Sequence, residues 1–357
     1  MFRPLVVAVL LGVALAVPLK ESGNIRVVRT LPSEANHYHR SSTDTYLLAF
    51  EIAIGTGLSR TAQLKLDLTS ADLVVDLCYL AAGTSDSICF DPTTSRTFHR
   101  VSDILARDVI SSNFPSQDNW TIPNATFVTN NYTGDPSDPN FVTSGTIGFG
   151  WPSLQKYPVT YFPLAFLGAR AQKKNIFSLV LGTEGCLGRH WWGETCANYE
   201  NGAPHYVPVT SQRYWQFALE GVQYGPINQP MKAQAVITST SGYIGIPKKI
   251  LSQMMSTHNI TWDGLYTVYL VDCDADLPPL QFSVDGGKTL AIPREWYVSK
   301  TPLVNNLCVV NLEDSKTYGF GPDWYFGTPL LQSYCTEFDY DQKRIGFTEN
   351  TYSLDGC

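Results

Sequence analysis

Two short turns rich in hydroxyl residues are the parts of this sequence whose residue types and spacing could do chemistry. Asp67-Leu68-Thr69-Ser70 follows an apolar segment, and Thr238-Ser239-Thr240-Ser241 follows another one 171 residues later. A carboxylate such as that of Asp67 can act as a general acid or base. A threonine hydroxyl is far too weak an acid to ionise and act as a base near neutral pH. The first turn therefore has acid–base capacity and the second does not.

The surroundings of the second turn offer no substitute acid. Between Glu220 and Asp263 the sequence contains no aspartate or glutamate. The likeness of the two turns, about half a chain apart, has two explanations. It is either a chance similarity of serine- and threonine-rich turns or the trace of two related lobes. We favour two related lobes because the flanking segments also match a known pattern, described below.

The elements that must position these turns are predicted to be short strands. Apolar or alternating runs at 47–54, 62–66, 73–75 and 177–181 are separated by glycine, proline, asparagine and aspartate, which is typical of β-structure. Helical periodicity is sparse, and residues 247–255 are the best short candidate, with proline at the start. We therefore predict a mostly β protein.

Length and composition narrow the possibilities. A chain of 357 residues with 44% hydrophobic residues predicts two domains or lobes. The net charge of −7 and the lack of a basic stripe argue against a nucleic-acid partner. His37 and His39 lie two residues apart in a polar segment and are predicted to be solvated, so no metal and no cofactor are expected. No Gly-x-Ser-x-Gly motif supports serine hydrolase chemistry.

Several features predict a secreted protein. Residues 1–16 have a short basic start, an apolar run and small residues for cleavage, as in a signal peptide. No other stretch is long enough to span a bilayer. The eight cysteines favour disulfides in an oxidising compartment. Four sequons predict N-glycosylation, at Asn119, Asn124, Asn131 and Asn259. We expect an extracellular monomer, with a lysosomal or gut-lumen location as the alternative.

An ordered series of segments resembles the pepsin-like aspartic proteases. The second turn sits in AQAVITSTSGYIGIP (233–247), which is similar to the family's second active-site loop. The other matching segments are YLLAFEIAIGTG (46–57), FDPTTSRTF (90–98), GTIGFG (145–150), YWQFALEGV (214–222), GFGPDWYFGTPL (319–330) and KRIGF (343–347). Each segment is a weak match alone, but the ordered series extends over nearly the whole mature chain. Nematode members of the family are the most similar in the sequences of these segments.

The resemblance implies a fold and a division of the chain. It implies a mostly β, bilobal pepsin-like fold with a cleft between two related lobes. We predict a signal peptide at 1–16, a short propeptide-like segment at 17–43, an N-terminal lobe at 44–210 and a C-terminal lobe at 211–357. Whether residues 17–43 are removed is left open.

The resemblance also implies the chemistry that the two turns should perform. In the family, each lobe supplies one aspartate, and the two carboxylates share one proton. Asp67 stands at the first position, whereas Thr238 stands where the second aspartate belongs. Leu68 removes a hydroxyl that helps to lock the family's two loops together. Thr69 and Thr240 replace glycines, and Ser239 keeps a hydroxyl that could link the loops.

Further departures from the family concern the substrate-covering hairpin and the disulfides. The family's hairpin carries Tyr-Gly at its tip, but residues 101–112 contain neither, so we predict that it is lost or remodelled. The resemblance implies the disulfides Cys78–Cys89 and Cys273–Cys308. The pairing of the other four cysteines, at positions 186, 196, 335 and 357, has three possibilities.

These features predict a secreted, glycosylated, catalytically inactive homologue that binds a peptide or protein of unknown identity. The main rival is a divergent aspartic-type endopeptidase with residual activity through Asp67. Asp76 or Asp91 would be its acid partner, although neither belongs to the second lobe. A third reading is an interaction scaffold whose cleft is closed.

Overall fold

The computed structural model is mostly β, and the predicted fold class is confirmed. It describes residues 23–30, 45–56, 60–78, 90–112, 120–131, 143–169, 174–181, 188–193, 195–196, 202–317 and 321–350. The strands of the first half are β1 Gly23–Thr30, β2 Thr45–Ile54, β3 Arg60–Asp67, β4 Leu73–Leu77, β5 His99–Arg100, β6 Leu105–Ser111, β7 Thr121–Asn131, β8 Gly145–Gly148, β9 Ile176–Val180, β10 Gly188–Trp192 and β11 His205–Pro208.

The second half begins with the longest hairpin. Its strands are β12 Gln216–Tyr224, β13 Ile227–Ile237, β14 Ile244–Ile246, β15 Thr261–Asp263, β16 Val268–Asp272, β17 Leu280–Val284, β18 Lys288–Ile292, β19 Leu307–Val310, β20 Leu312–Asp314, β21 Trp324–Phe326, β22 Tyr334–Asp339 and β23 Arg344–Glu349. The helices are α1 Phe162–Ala169, α2 Lys248–Thr257, α3 Arg294–Tyr297 and α4 Thr328–Ser333.

The predicted elements lie where the sequence pattern placed them, with shifts of a few residues at their ends. The runs at 47–54, 62–66, 73–75 and 177–181 belong to β2, β3, β4 and β9. In β4, buried and half-buried residues alternate, as expected of a strand with one face on the core. The predicted helix is α2, which starts after Pro247 and buries Leu251, Met254 and Met255.

The strands form three sheets. The largest has thirteen strands in the order β11-β23-β22-β9-β10-β1-β2-β3-β8-β4-β7-β6-β5. A second has seven strands in the order β18-β17-β12-β13-β21-β14-β20, and β15-β16-β19 form a third. The predicted lobe boundary at 210/211 falls between β11 and β12. The large sheet crosses this boundary, since β22 and β23 pair with strands from the first half of the chain.

Part of the predicted propeptide-like segment is a strand of the large sheet. β1 pairs antiparallel with β2 over Arg26–Thr30 and with β10 over Gly23–Ile25. The predicted signal peptide at 1–16 lies outside the described residues. In the described part of the chain, no helix is long and apolar enough to cross a membrane.

The two halves of the molecule repeat one strand arrangement. In the first, β3 pairs parallel with β8, β8 pairs antiparallel with β4, and β4 pairs parallel with β7. In the second, β13 pairs parallel with β21, β21 antiparallel with β14, and β14 parallel with β20. This repeat is what the similarity of the two turns predicts for related lobes.

An aromatic cluster joins the halves next to the first turn. The indole N–H of Trp215 and the hydroxyl of Tyr340 both donate to the carbonyl oxygen of Phe149, at 2.9 and 2.7 Å. The ring of Trp215 lies 4.8 Å from that of Trp151 and 4.8 Å from that of Tyr340. The amide of Phe149 in turn donates to the carbonyl of Asp67 at 2.8 Å. Residues from the second half of the chain thus fix the backbone of the first turn.

Candidate functional site

The two turns lie at equivalent ends of equivalent strands. β3 ends at Asp67, and Asp67 is the register partner of Gly148 on β8. β13 ends at Ile237, whose register partner on β21 is Phe326, and Thr238 follows directly. Residues 67 and 238 therefore occupy the same place in the repeated arrangement.

Glycine lets the neighbouring strand approach each turn closely. A Cβ on Gly148 would lie 2.6 Å from the Cα of Ala71, and one on Gly327 would lie 2.2 Å from the carbonyl oxygen of Ser241. Both distances are too short for any side chain. The amide of Gly148 donates to the carbonyl of Asp72, and that of Gly327 donates to the carbonyl of Tyr243, at 3.0 and 2.9 Å. An equivalent backbone hydrogen bond from a glycine thus fixes each turn.

Ser239 links the two turns directly. Its hydroxyl donates to the carbonyl of Leu66 at 2.7 Å and accepts from the amide of Leu68 at 3.0 Å. Ser239 is fully buried. Leu68, at the equivalent position of the first turn, carries no hydroxyl and is itself fully buried in the hydrophobic core. The side-chain link between the turns is therefore made from one side.

Each turn is closed by the same internal hydrogen bonds around a different oxygen. In the first, Asp67 Oδ1 accepts from the amide of Thr69 at 2.7 Å and from its hydroxyl at 2.6 Å. In the second, Thr238 Oγ1 accepts from the amide of Thr240 at 3.2 Å and shares a 3.0 Å hydrogen bond with its hydroxyl. A carboxylate oxygen in the first turn and a hydroxyl oxygen in the second thus occupy the same place in equivalent hydrogen-bond patterns.

The residues that line the turns differ in what they can do chemically. Asp67 is half-buried and carries a carboxylate, while Thr238 is buried, at 7% exposed. Thr69 and Thr240 place hydroxyl groups within hydrogen-bond distance of residues 67 and 238. The two turns together can supply one acid–base group, the Asp67 carboxylate, and several neutral hydrogen-bonding groups.

A pocket of about 480 Å³ opens beside the turns. Its volume falls in the range of small-molecule and side-chain binding sites. Both turns contribute to its wall, together with aromatic residues and one acid. The lining residues are Thr69, Tyr214, Val236, Thr238, Ser241, Glu313, Pro322, Trp324 and Tyr325.

The acid in this wall, Glu313, was not among the residues that the sequence pointed to. It lies on β20, and the hydroxyl of Tyr325 on β21 donates a short hydrogen bond to its Oε1. Burial, and next this hydrogen bond to Glu313, raise the pKa of the Tyr325 hydroxyl well above its usual range. Tyr325 therefore stays a donor throughout the physiological pH range.

A glycine makes this contact possible. Gly245 on β14 is the register partner of Glu313 on one side and of Tyr325 on the other. A Cβ on Gly245 would lie 1.9 Å from Cε1 of Tyr325. The ring of Tyr325 thus crosses β14 over Gly245 to reach Glu313. No local sequence motif marks Glu313, because the contact depends on pairing between strands that are distant in the chain.

An antiparallel hairpin lies in the segment where the family's substrate-covering hairpin is expected. β6 and β7 pair antiparallel, with Ile110 opposite Ile122. Residues 113–119, between them, lie outside the described residues. The loss or remodelling of the family's substrate-covering hairpin stays a prediction.

Two disulfides lie in the described part of the chain. One joins Cys273 to Cys308, the pair that the resemblance implies, with a Cα–Cα distance of 4.9 Å. The other joins Cys196 to Cys335, one of the pairings left open. Cys78 is disulfide-bonded. Cys89, Cys186 and Cys357 lie outside the described residues.

The predicted glycosylation sites that can be located are exposed. Asn124 and Asn131 lie on β7, and Asn259 follows α2, all with accessible side chains. Asn119 lies outside the described residues. Among the described residues, no group of three or more histidine, cysteine, aspartate or glutamate side chains could hold a metal ion.

Comparison with known proteins supports the same family. Residues 47–350 match the model of the eukaryotic aspartyl protease family. The chain is 26% identical to aspartic protease 17 of Caenorhabditis elegans over 218 residues, covering 59% of this chain and 55% of the relative. It is 25% identical to gastricsin of Rattus norvegicus over 315 residues, covering 83% and 79%. It is 30% identical to cathepsin D of Clupea harengus over 224 residues, covering 58% and 54%.

The repeated strand arrangement, the paired turns and the family match together define a pepsin-like aspartic protease homologue. The chain belongs to the eukaryotic aspartyl protease family. It spans about half the length of several of the curated relatives that it matches.

Proposed function

We propose that this protein binds peptides or unfolded protein segments beside the paired turns and does not hydrolyse them. The observation that supports the proposal is the difference between the turns. Equivalent hydrogen bonds surround a carboxylate oxygen at Asp67 and a threonine hydroxyl at Thr238. In the family that the chain resembles, both positions carry aspartate. Here the second turn offers no group that ionises near neutral or acid pH.

The chemical consequence is large. In active members of this family, one ionised and one protonated carboxylate help a water molecule to attack a peptide carbonyl. Losing general acid–base assistance typically lowers a rate by about 10²–10⁴-fold, and by more when the two groups act as a unit. In addition, Asp67 Oδ1 already accepts two hydrogen bonds from Thr69. The pocket beside the turns has a volume of about 480 Å³ and aromatic walls, so binding is the function that these residues support.

The test is hydrolysis of a randomised peptide library by the purified protein between pH 2 and pH 7, with Asp67→Ala as the matched variant. We expect no cleavage by the wild type above the level of Asp67→Ala. Cleavage that Asp67→Ala abolishes would overturn the proposal. Binding is measured separately, by retention of the same library on the immobilised protein.

The rival function is a divergent aspartic-type endopeptidase acting through Asp67. The observation in its favour is that Glu313 places a second carboxylate in the wall of the pocket that Thr69 also lines. Its expected signature is cleavage lost in both Asp67→Ala and Glu313→Gln. Cleavage that survives Glu313→Gln would remove Glu313 as the acid partner.

We also propose that the protein works in an oxidising, extracellular compartment. The Cys196–Cys335 and Cys273–Cys308 disulfides and the exposed sequons on β7 support this. Expression in secreting cells should yield protein in the medium whose mass falls on enzymatic removal of N-glycans. Retention of an unglycosylated chain inside the cells would contradict it.

A further inference from the structure

The pocket beside the turns combines one acid with aromatic walls. Among the described residues that line it, Glu313 is the only charged side chain, and Tyr214, Trp324 and Tyr325 supply three rings. Glu313 is half-buried. A carboxylate in such surroundings attracts a cation more strongly than one in open water, because the local dielectric constant is lower.

The hydrogen bonding of Glu313 leaves its carboxylate able to accept a hydrogen bond from a ligand. Tyr325 donates to Oε1, and in the described part of the chain no lysine, arginine or histidine pairs with this carboxylate. Oε2 remains for an incoming donor. Tyr325 also orients the carboxylate, because its ring is held across Gly245. The acid is therefore fixed in place before a ligand arrives.

The rings favour the same kind of ligand. A guanidinium or ammonium group near the face of a tyrosine or tryptophan ring is attracted by the ring's quadrupole. Arginine suits such a site better than lysine, since its planar group can both stack on a ring and donate to a carboxylate. The hydroxyl of Thr69 in the same wall donates to Asp67 and can itself accept a hydrogen bond from a ligand. The chain's net charge of −7 adds a weak long-range attraction for basic peptides.

We propose that this pocket binds an arginine side chain of a peptide ligand and that Glu313 determines this preference. The inference rests on the proposed peptide-binding function and names the chemistry that the ligand must carry. Tyr325 acts as a positioning residue for Glu313, and Gly245 provides the space for Tyr325.

The experiment uses the full chain and two randomised peptide pools that differ at one fixed position. One pool carries arginine there and the other carries citrulline, which has nearly the same shape but no charge. We expect the wild type to bind the arginine pool at least about tenfold more tightly, which corresponds to about 1.4 kcal/mol. Glu313→Gln should reduce the ratio to within about twofold, because the charged guanidinium then has no carboxylate to pair with.

Matched variants separate the site from the overall charge. Glu220 is exposed on β12 outside the pocket, so Glu220→Gln removes the same charge and should keep the full arginine preference. Tyr325→Phe keeps the ring but removes the donor to Glu313, and we expect an intermediate preference. An equal loss in Glu220→Gln and Glu313→Gln would mean that only net charge matters and would overturn the proposal.

A small probe, N-acetylarginine amide, distinguishes failure of this inference from failure of the proposed function. If both pools bind equally, peptide binding stands and the arginine pocket is wrong. If neither pool binds but the probe binds in a Glu313-dependent manner, the pocket stands and peptide binding is wrong. If the pools and the probe all fail to bind, both proposals are wrong. Unfolding curves of each variant confirm that it is folded before binding is compared.

Discussion

The turn at Asp67 and the turn at Thr238 share their strand context and their internal hydrogen bonds but differ in the side chains that matter. In the first, a carboxylate oxygen accepts from residue 69, and in the second a hydroxyl oxygen accepts from residue 240. The side-chain link between the turns comes from the second turn, because Ser239 supplies the hydroxyl, whereas Leu68 of the first turn supplies only apolar packing. The acid therefore sits in one turn and the cross-link in the other.

The shape of the turn does not depend on the acid. The amide of residue i+2 needs an oxygen acceptor at residue i, and a hydroxyl can take this place, at 3.2 Å in the second turn against 2.7 Å for the carboxylate in the first. The threonine at position 238 thus closes the turn without an ionisable group. A turn of the same shape can carry different side chains, which is why the fold alone does not establish hydrolysis.

The largest effect is expected when both turns are given the residues that the family carries at positions 69, 238 and 240. The variant Thr69→Gly/Thr238→Asp/Thr240→Gly restores a second carboxylate and removes the hydroxyl that donates to Asp67. We expect peptide hydrolysis at acid pH to rise at least about 10²-fold over the wild type, the lower end of the usual general acid–base contribution. The measurement is cleavage of the randomised library followed by mass spectrometry.

The matched control adds Asp67→Ala to the same three substitutions. It should return cleavage to the wild-type level, since one carboxylate is again missing. A folded triple variant that remains inactive would mean that the difference at residue 238 is not what separates this protein from active family members.

A second test removes the link between the turns. Ser239→Ala leaves the buried amide of Leu68 without its acceptor, and an unsatisfied buried group costs about 1–3 kcal/mol. The free energy of unfolding, measured by chemical denaturation, should fall by that amount. Ser241→Ala is the control: its hydroxyl accepts from the amide of Tyr243 in a half-exposed position, and a change within about 0.5 kcal/mol is expected. Equal effects would show that the link between the turns contributes no more than the local hydrogen bond of Ser241.

How far the sequence could predict this site depends on the distance over which each contact acts. The turns, their flanking strands and the missing acid were visible locally, because alternation and short motifs report local structure. The contact of Glu313 with Tyr325 was not, since parallel pairing of β14 with β20 brings it about. Helix α4 was also missed, because it is short and buried throughout and so has no amphipathic period.

A third test asks where the pH dependence of stability arises. Outside both turns, Glu337 is fully buried, and burial raises its pKa above the ordinary value of 4.5. A raised pKa in the folded state means that the contribution to stability is complete below about 4.5 and is lost as pH rises through the folded-state pKa. Glu337→Gln should therefore stabilise the protein relative to the wild type more at pH 7 than at pH 4, measured by unfolding at both values.

A partner substitution sharpens this test. The hydroxyl of Tyr206 donates to Oε2 of Glu337 at 2.5 Å and so lowers the pKa of the carboxyl against the larger effect of burial. Tyr206→Phe should make the loss of stability between pH 4 and pH 7 steeper. A difference between Glu337→Gln and the wild type that does not change with pH would contradict the assignment.

The smallest expected effects come from exchanging the acceptor in each turn for a near-isosteric group. Asp67→Asn keeps an oxygen that can accept from the amide and hydroxyl of Thr69, so the free energy of unfolding should change by less than about 0.5 kcal/mol. Thr238→Val removes the oxygen that accepts from the amide of Thr240, so a loss of about 1 kcal/mol is expected. If Asp67→Asn were the more costly of the two, the carboxylate charge would itself stabilise the first turn, and the two turns would not be structurally equivalent.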